Sequence, residues 1–356
     1  MPKRSPFADA ARAIGDAAAR WRDADFPPRV RAQARIVERT HYSLPVVEYA
    51  LDALFGSITA DAILETIAAE IGDRDVQPVG RVAIVSSRTT IGVAIVPAIF
   101  AICAGCDVTV KDREDALVGA FFQTLGGHSF RAEAWRGGEH DLTQYDVVVA
   151  FGGDEALRAI REQMREDALF IPYGPKASIG YVGREALGDE AAARRIAEAA
   201  ARDFLLYDGE GCLSLHALFV QRGGAISPQE FARTLASAAR GAAVEFPLGA
   251  RSPAQAARVA ALRDAALFRD GPVHSDDEAT FVIEMGEPAR APAFAPRVLA
   301  VHEVDSSDEM RAYVARHGID VESCATVDGP IRFGEMQRPA LSYRHGGRPR
   351  FSEFVR

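Results

Sequence analysis

The chain has 356 residues, 48% hydrophobic and 26% charged, with 41 Lys and Arg against 50 Asp and Glu, a net charge of −9. At roughly 100–200 residues per domain this is a globular chain of about two to three domains, neither disordered nor fibrous. The acidic balance argues against nucleic acid as a partner, and the longest apolar run, 91–106, is broken by Pro97 and falls short of the ~20 residues of a membrane span.

Residues 1–78 read as helical: 8–23 is rich in Ala and Arg, and 45–55 and 63–71 carry apolar residues at helical spacing, with Thr59 as a cap and Gly72 as a stop. From residue 80 the pattern changes. Apolar strands are expected at 81–86, 106–111, 130–135, 145–151 and 168–172, with helices at 92–104, 115–125 and 154–164 between them. Continuous apolar strands alternating with helices form a parallel sheet covered on both faces, with ligands beyond the carboxyl ends of the strands. A long helix at 189–205 leads into the loop 207–212 and a strand at 213–220. A helix at 227–243 capped by Ser227-Pro228, strands at 280–284 and 298–302, and a helix at 307–317 complete a second α/β region. The expected division is a helical segment 1–78, a parallel-sheet domain 79–205, a second α/β domain 206–330 and a tail 331–356 rich in Gly, Pro and Arg.

Four cysteines are too few for a disulfide framework, and residues 1–5 are followed by no apolar segment of the secretory kind; both point to a reducing cytoplasm. Cys103-Ala-Gly-Cys106 has redox spacing but closes a helix, where redox motifs open one, so these thiols read as packing. Cys212 follows Gly211 at a helix-to-strand junction, where glycine lets a ligand approach the backbone; a lone cysteine is more often an inert small hydrophobe. Lys111 ends the second strand, where a cation reaches a nucleotide, although a surface lysine at a strand end is common. Gly152-Gly153 ends a strand and opens a helix, a place for a pyrophosphate on backbone amides, but it lacks the full glycine fingerprint. The eight histidines show no metal-ligand spacing, and 274–278 reads as a solvated polar loop.

In order along the chain, the apolar helix ending at Gly105, the strand ending at Lys111, Phe151-Gly152-Gly153-Asp154, Gly174-Pro175-Lys176 and Glu210-Gly211-Cys212-Leu213-Ser214 resemble the aldehyde dehydrogenase superfamily. More narrowly, 208–216 (DGEGCLSLH), 333–339 (FGEMQRP) and 343–349 (YRHGGRP) resemble the LuxC-type fatty acyl-CoA reductases. That resemblance covers roughly residues 45–350. It implies a Rossmann-type nicotinamide dinucleotide domain followed by a catalytic domain carrying Cys212. Cys212 would take the acyl group from a thioester and a nicotinamide hydride would release the aldehyde. Lys111, Ser86, Ser87, Gly152, Gly153 and Glu114 would hold the cofactor. Glu114 favours NAD, Arg113 would meet a 2′-phosphate, and the family leans to NADP(H). His216 and His345 are candidate proton donors, against the commoner reading of each as a hydrogen-bonded structural histidine.

The hydrolytic members carry a general-base Glu where this chain has Pro172, so reduction or thiol exchange is favoured over hydrolysis. The superfamily's oxyanion Asn is replaced by Arg88, and loss of one such donor costs about 10²–10³ in rate. Two further readings stay open: a non-acylating aldehyde dehydrogenase, and a catalytically silent nucleotide-binding subunit of a biosynthetic complex. The resemblance further implies an acyl-CoA or acyl-carrier substrate, an acyl-transferring enzyme as partner, a homo-oligomer and no metal.

Overall fold

A computed structural model describes residues 7–87, 90–112, 117–125, 130–134, 141–269, 272–276 and 280–356, without the side chains of 130–134. Arg88, Arg113, Glu114, Asp277 and Glu278 lie outside the described residues. The chain divides into two compact units: Met1–Thr40, Val47–Pro175 and Arg338–Arg356 form the first, His41–Val46 and Lys176–Gln337 the second.

In the first unit, α1 (Ala8–Trp21), α2 (Pro27–Arg39), most of α3 (Leu44–Ser57) and α4 (Ala60–Ile71) precede the sheet. Thr59 caps α4 by accepting from the Ala62 amide at 3.1 Å, and Gly72 ends it with φ 58°. Trp21, fully buried, packs against Phe55 and Phe121 with ring centroids 5.1 and 6.0 Å away.

The sheet holds β1 (Arg81–Val85), β2 (Asp107–Asp112), β3 (Phe130–Ala134), β4 (Val147–Phe151) and β5 (Leu169–Tyr173), in the order β3-β2-β1-β4-β5 and parallel throughout. Helices α5 (Ile95–Ala104), α6 (Leu117–Gln123) and α7 (Asp154–Glu162) connect its strands. Because β1 lies between β2 and β4, connections leave it in both directions, and the crevice of such a sheet opens at the carboxyl ends of β1 and β4. α5 ends at Gly105 in a left-handed conformation (φ 87°), and Cys103 and Cys106 beside it are both buried. Burial pushes the Cys103 thiol up to about 12.

The second unit is built on β6 (Ala177–Val182), β7 (Leu215–Gln221), β8 (Val273–Ser275), β9 (Val282–Met285), β10 (Val298–Val304) and β11 (Val321–Ala325). Their order is β11-β6-β7-β10-β9-β8, parallel except that β8 runs antiparallel to β9. α8 (Glu190–Leu205) and α9 (Pro228–Glu245) pack Ala193, Ala197, Ala200 and Phe204 against Phe231, Leu235 and Ala239 in one apolar core. Ser227 and Glu230 form the reciprocal cap that starts α9. α10 (Pro253–Leu267) and α11 (Ser307–Arg316) complete this unit.

Three segments join different units from those read along the sequence. The helical segment 1–78 belongs to the first unit with the parallel sheet, apart from His41–Val46. α8, read as the end of the parallel-sheet domain, belongs to the second unit because its alanine stripe packs on α9. The last residues, read as a separate tail, belong to the first: Val355 bridges Pro78, and the Glu70 carboxylate accepts from the amides of Arg350, Phe351 and Ser352 at 2.6–2.9 Å. Helix α10 and strands β6, β8 and β11 were not legible in the sequence, and β8 places His274 and Ser275 in a strand where a solvated loop was expected. α10 interleaves Ala and Arg around the helix and buries only Val259 and Ala266.

Candidate active site

The carboxyl edge of the first unit's sheet gathers most of the residues expected to hold a nucleotide. Ser86 and Ser87 leave β1, Lys111 and Asp112 end β2, and Gly152 and Gly153 leave β4, adjacent to β1. Lys111 is paired in register with Val85, is 3% exposed, and its carbonyl accepts from the Ser86 amide at 3.1 Å. Gly153 is the N-cap of α7 and no side chain caps that end. Among the described residues a Cβ on Gly153 would meet nothing within 4 Å, and Gly153 is exposed. Asp154 and Glu155 stand in the first turn and complement the helix dipole themselves. Lys111 itself is buried at that edge. Phe151 and Tyr173 stack at the ends of β4 and β5 (4.7 Å, 11° between planes), and His345 tilts onto Tyr173 at 5.2 Å.

The cysteine lies in the second unit, on a loop held from many directions. After α8 the backbone turns left-handed at three consecutive residues, Tyr207 (φ 53°), Asp208 (φ 52°) and Gly209 (φ 70°). Such a conformation costs non-glycine residues about 1–2 kcal/mol each and persists only where the surroundings impose it. Arg297 is one such surrounding. Its fully buried guanidinium pairs with the Asp208 carboxylate at 2.7 Å and donates to the Phe246 carbonyl at 2.8 Å. Its own amide donates to the Asp208 carbonyl at 3.0 Å. Burial raises the Asp208 carboxyl, and the charge of Arg297 opposes that rise. A Cβ on Gly209 would come within 2.9 Å of the Arg297 amide nitrogen, so glycine is required there. Next along the loop, Glu210 accepts from Gln255 at 3.1 Å and pairs with His41 at 3.2 Å, which raises the His41 imidazole.

Cys212 is half-buried. Its carbonyl accepts from Ser178 Oγ at 2.7 Å, and Ser178 Oγ accepts in turn from Ser323 Oγ at 2.8 Å. The Ser178 amide donates to His216 Nδ1 at 3.1 Å, which leaves Nε2 to carry the imidazole proton. Burial pushes His216 down to about 4, so it is neutral at pH 7 and serves as a fixed acceptor. Ser214 donates its amide to the Gly211 carbonyl at 2.9 Å and its hydroxyl to the Leu206 carbonyl at 3.2 Å. Burial raises the thiols of Cys103, Cys106 and Cys324. Lys176, from the Gly-Pro-Lys turn, pairs with Asp320 at 2.6 Å, a structural bond.

The structure thus joins Cys212 and His216 through Ser178 and gathers Ser86, Ser87, Lys111, Gly152 and Gly153 at one sheet edge. Arg297, Ser178 and His41 reach the cysteine loop from more than 30 positions away, and Ser323 reaches it through Ser178, so none had a signal in the sequence. Among the described residues no group of His, Cys, Asp or Glu is placed to hold a metal ion, and no helix is long and apolar enough to cross a membrane.

Solved structures with a similar fold include several aldehyde dehydrogenases. Aldehyde dehydrogenase 21 from Physcomitrella patens, solved with its reaction product succinate, superposes with a TM-score of 0.69 at 12% identity, over 93% of this chain and 80% of that one. A NAD-dependent benzaldehyde dehydrogenase from Corynebacterium glutamicum gives 0.69 at 15%, over 99% and 84%. A mutant aldehyde dehydrogenase C from Pseudomonas syringae, complexed with NAD+ and octanal, gives 0.64 at 15%, over 92% and 78%. No curated protein matches the sequence. The acyl-CoA reductase (LuxC) family matches residues 139–338, which take in β4, the cysteine loop and the FGEMQ segment. With more than half of its length in that match and an aldehyde dehydrogenase fold around it, the chain belongs to the LuxC family of acyl-CoA reductases.

Proposed function

We propose that this oxidoreductase of aldehyde chemistry reduces a fatty acyl thioester, on CoA or a carrier, to the aldehyde through an S-acyl enzyme on Cys212. The observation that carries the reading is the cysteine loop: three left-handed residues, a buried Arg297–Asp208 pair and the Ser178 bond to the Cys212 carbonyl hold one half-buried thiol in place. Pre-set geometry of this kind is what a nucleophile requires.

The Cys212 thiolate attacks the thioester carbonyl, a C–S bond forms, and the CoA thiolate leaves with the proton that Cys212 gave up. The amide of Cys212 is the donor this reading assigns to the oxyanion. Lys111, Ser86, Ser87, Gly152 and Gly153 would hold a dinucleotide, NADP(H) in this reading; when bound in reduced form it would supply a hydride to the acyl carbon, whose bond to Cys212 Sγ breaks to release the aldehyde and return the thiolate. His216, neutral and bonded to the Ser178 amide, holds the serine that fixes Cys212. Pro172, in β5 where the hydrolytic relatives carry their base, provides no group to activate water. A cytoplasmic homo-oligomer fed by an acyl-transferring enzyme belongs to the same reading.

The test is the intact mass of wild type and Cys212→Ala after incubation with acyl-CoAs of graded chain length. The expected result is an acyl adduct on wild type alone, discharged as aldehyde on adding NADPH. Dinucleotide binding without an adduct from any donor would overturn the reading in favour of a silent partner subunit.

A further inference from the structure

The FGEMQ segment, residues 333–337, has no role in the chemistry above, yet the fold ties almost every residue of it down. Phe333 lies over Gly180 in β6, where a Cβ would come within 2.6 Å of its ring. The Gly334 amide donates to the carboxylate of Asp203, on α8 and fully buried, at 2.6 Å. Gly334 takes φ 85°, which favours glycine. Met336 is 2% exposed, within the core of the second unit. Gln337 donates from Nε2 to Ser214 Oγ at 3.0 Å, both side chains being buried.

The direction of these bonds matters. Ser214 has one hydroxyl hydrogen and spends it on the Leu206 carbonyl, at the start of the left-handed turn. Its lone pair then needs a donor, and the Gln337 amide is one. Gln337, Ser214 and Leu206 form a one-way chain that spans the loop on both sides of Cys212.

We propose that residues 333–337 clamp the nucleophile loop, with Gln337 as the positioning residue that presents Cys212 by polarising Ser214 toward Leu206. The inference rests on Cys212 being the nucleophile. Gln337→Glu keeps the shape and, once ionised, replaces the donor with an acceptor, so at the upper end of the pH series the Ser214 hydroxyl is drawn away from the Leu206 carbonyl. Gln337→Met removes the donor and leaves that hydroxyl bond in place.

The experiment measures, on the full chain, the rate of alkylation of Cys212 by iodoacetamide across a pH series, read by peptide mass. Cys324 serves as the internal control, and single-turnover acylation by an acyl-CoA and thermal melting are followed in parallel. The expected result for Gln337→Glu is a fall of about tenfold in both Cys212 rates, the size of effect that slight misplacement of a reacting group produces. Gln337→Met should lose less, and Cys324 reactivity should be unchanged in both variants. Cys212 rates within about twofold of wild type in both would overturn the clamp, since misplacement costs more than that. If Gln337→Glu does not fold, the Gln337→Met rates decide alone. A wild type that no acyl-CoA acylates would overturn the function while the alkylation rates still decide the clamp.

Discussion

The carboxyl edge of the first unit's sheet and the cysteine loop of the second are built by opposite means. The sheet edge consists of backbone and small residues: Ser86, Ser87, Gly152 and Gly153 stand where β1 and β4 end, and the order β3-β2-β1-β4-β5 alone puts them side by side. The cysteine loop is held by side chains from far along the sequence, Arg297, Ser178 and Gln337 among them. A cofactor site can follow from topology, because strand ends are adjacent whatever their side chains are. A loop held in left-handed backbone needs several polar bonds made at once. Changes at the sheet edge should therefore separate function from stability, and changes under the loop should move both.

The largest effect expected is at Cys212 itself. Cys212→Ala should lose the acyl adduct entirely while keeping the wild-type melting transition, and an adduct that survived on another cysteine would break the assignment. Arg297→Met should be the most damaging change beneath the loop. It leaves the buried Asp208 carboxylate without its 2.7 Å partner, a loss of about 3–5 kcal/mol measurable by denaturant unfolding. Cys212 alkylation should fall with it.

The next effect is a pH dependence. His302 is buried, stacked on Phe219, and held near 4 against its ordinary 6.5. A depressed histidine contributes stability that is whole above 6.5 and is lost as the pH falls toward 4, about 3 kcal/mol for a shift of this size. His302→Phe should remove that part of the acid sensitivity. Asp203 acts in the opposite sense. Burial raises it to about 7 from 3.8, so its contribution is present below 3.8 and lost as the pH rises through 7. Asp203→Asn should accordingly gain stability relative to wild type at alkaline pH, and unfolding curves at several pH values distinguish the two.

The smallest stability change is expected at Gly153, whose backbone has φ −72° and space for a Cβ. Gly153→Ala should leave stability within about 0.5 kcal/mol of wild type. It should weaken dinucleotide binding about tenfold, a cost near 1.4 kcal/mol, by obstructing backbone approach. Equal binding by calorimetry would remove Gly153 from the cofactor site.

Much of this was open to sequence reasoning. Apolar runs such as 145–151 name their strands, because a strand covered on both faces must be apolar on both. Thr59 and Ser227 mark helix starts, because a cap is a bond between neighbours in sequence. Gly211-Cys212 stands out locally, and with 333–339 it pointed to the family that residues 139–338 match. The tertiary structure alone decided what holds Cys212, which unit α8 joins, and that Glu70 fastens the end of the chain to the first unit. Strands and caps are written in residues a few positions apart, where periodicity and local hydrogen bonds leave a trace. The Arg297–Asp208 pair and the Gln337–Ser214 bond join residues 89 and 123 positions apart, and they exist only once packing has excluded water from both partners.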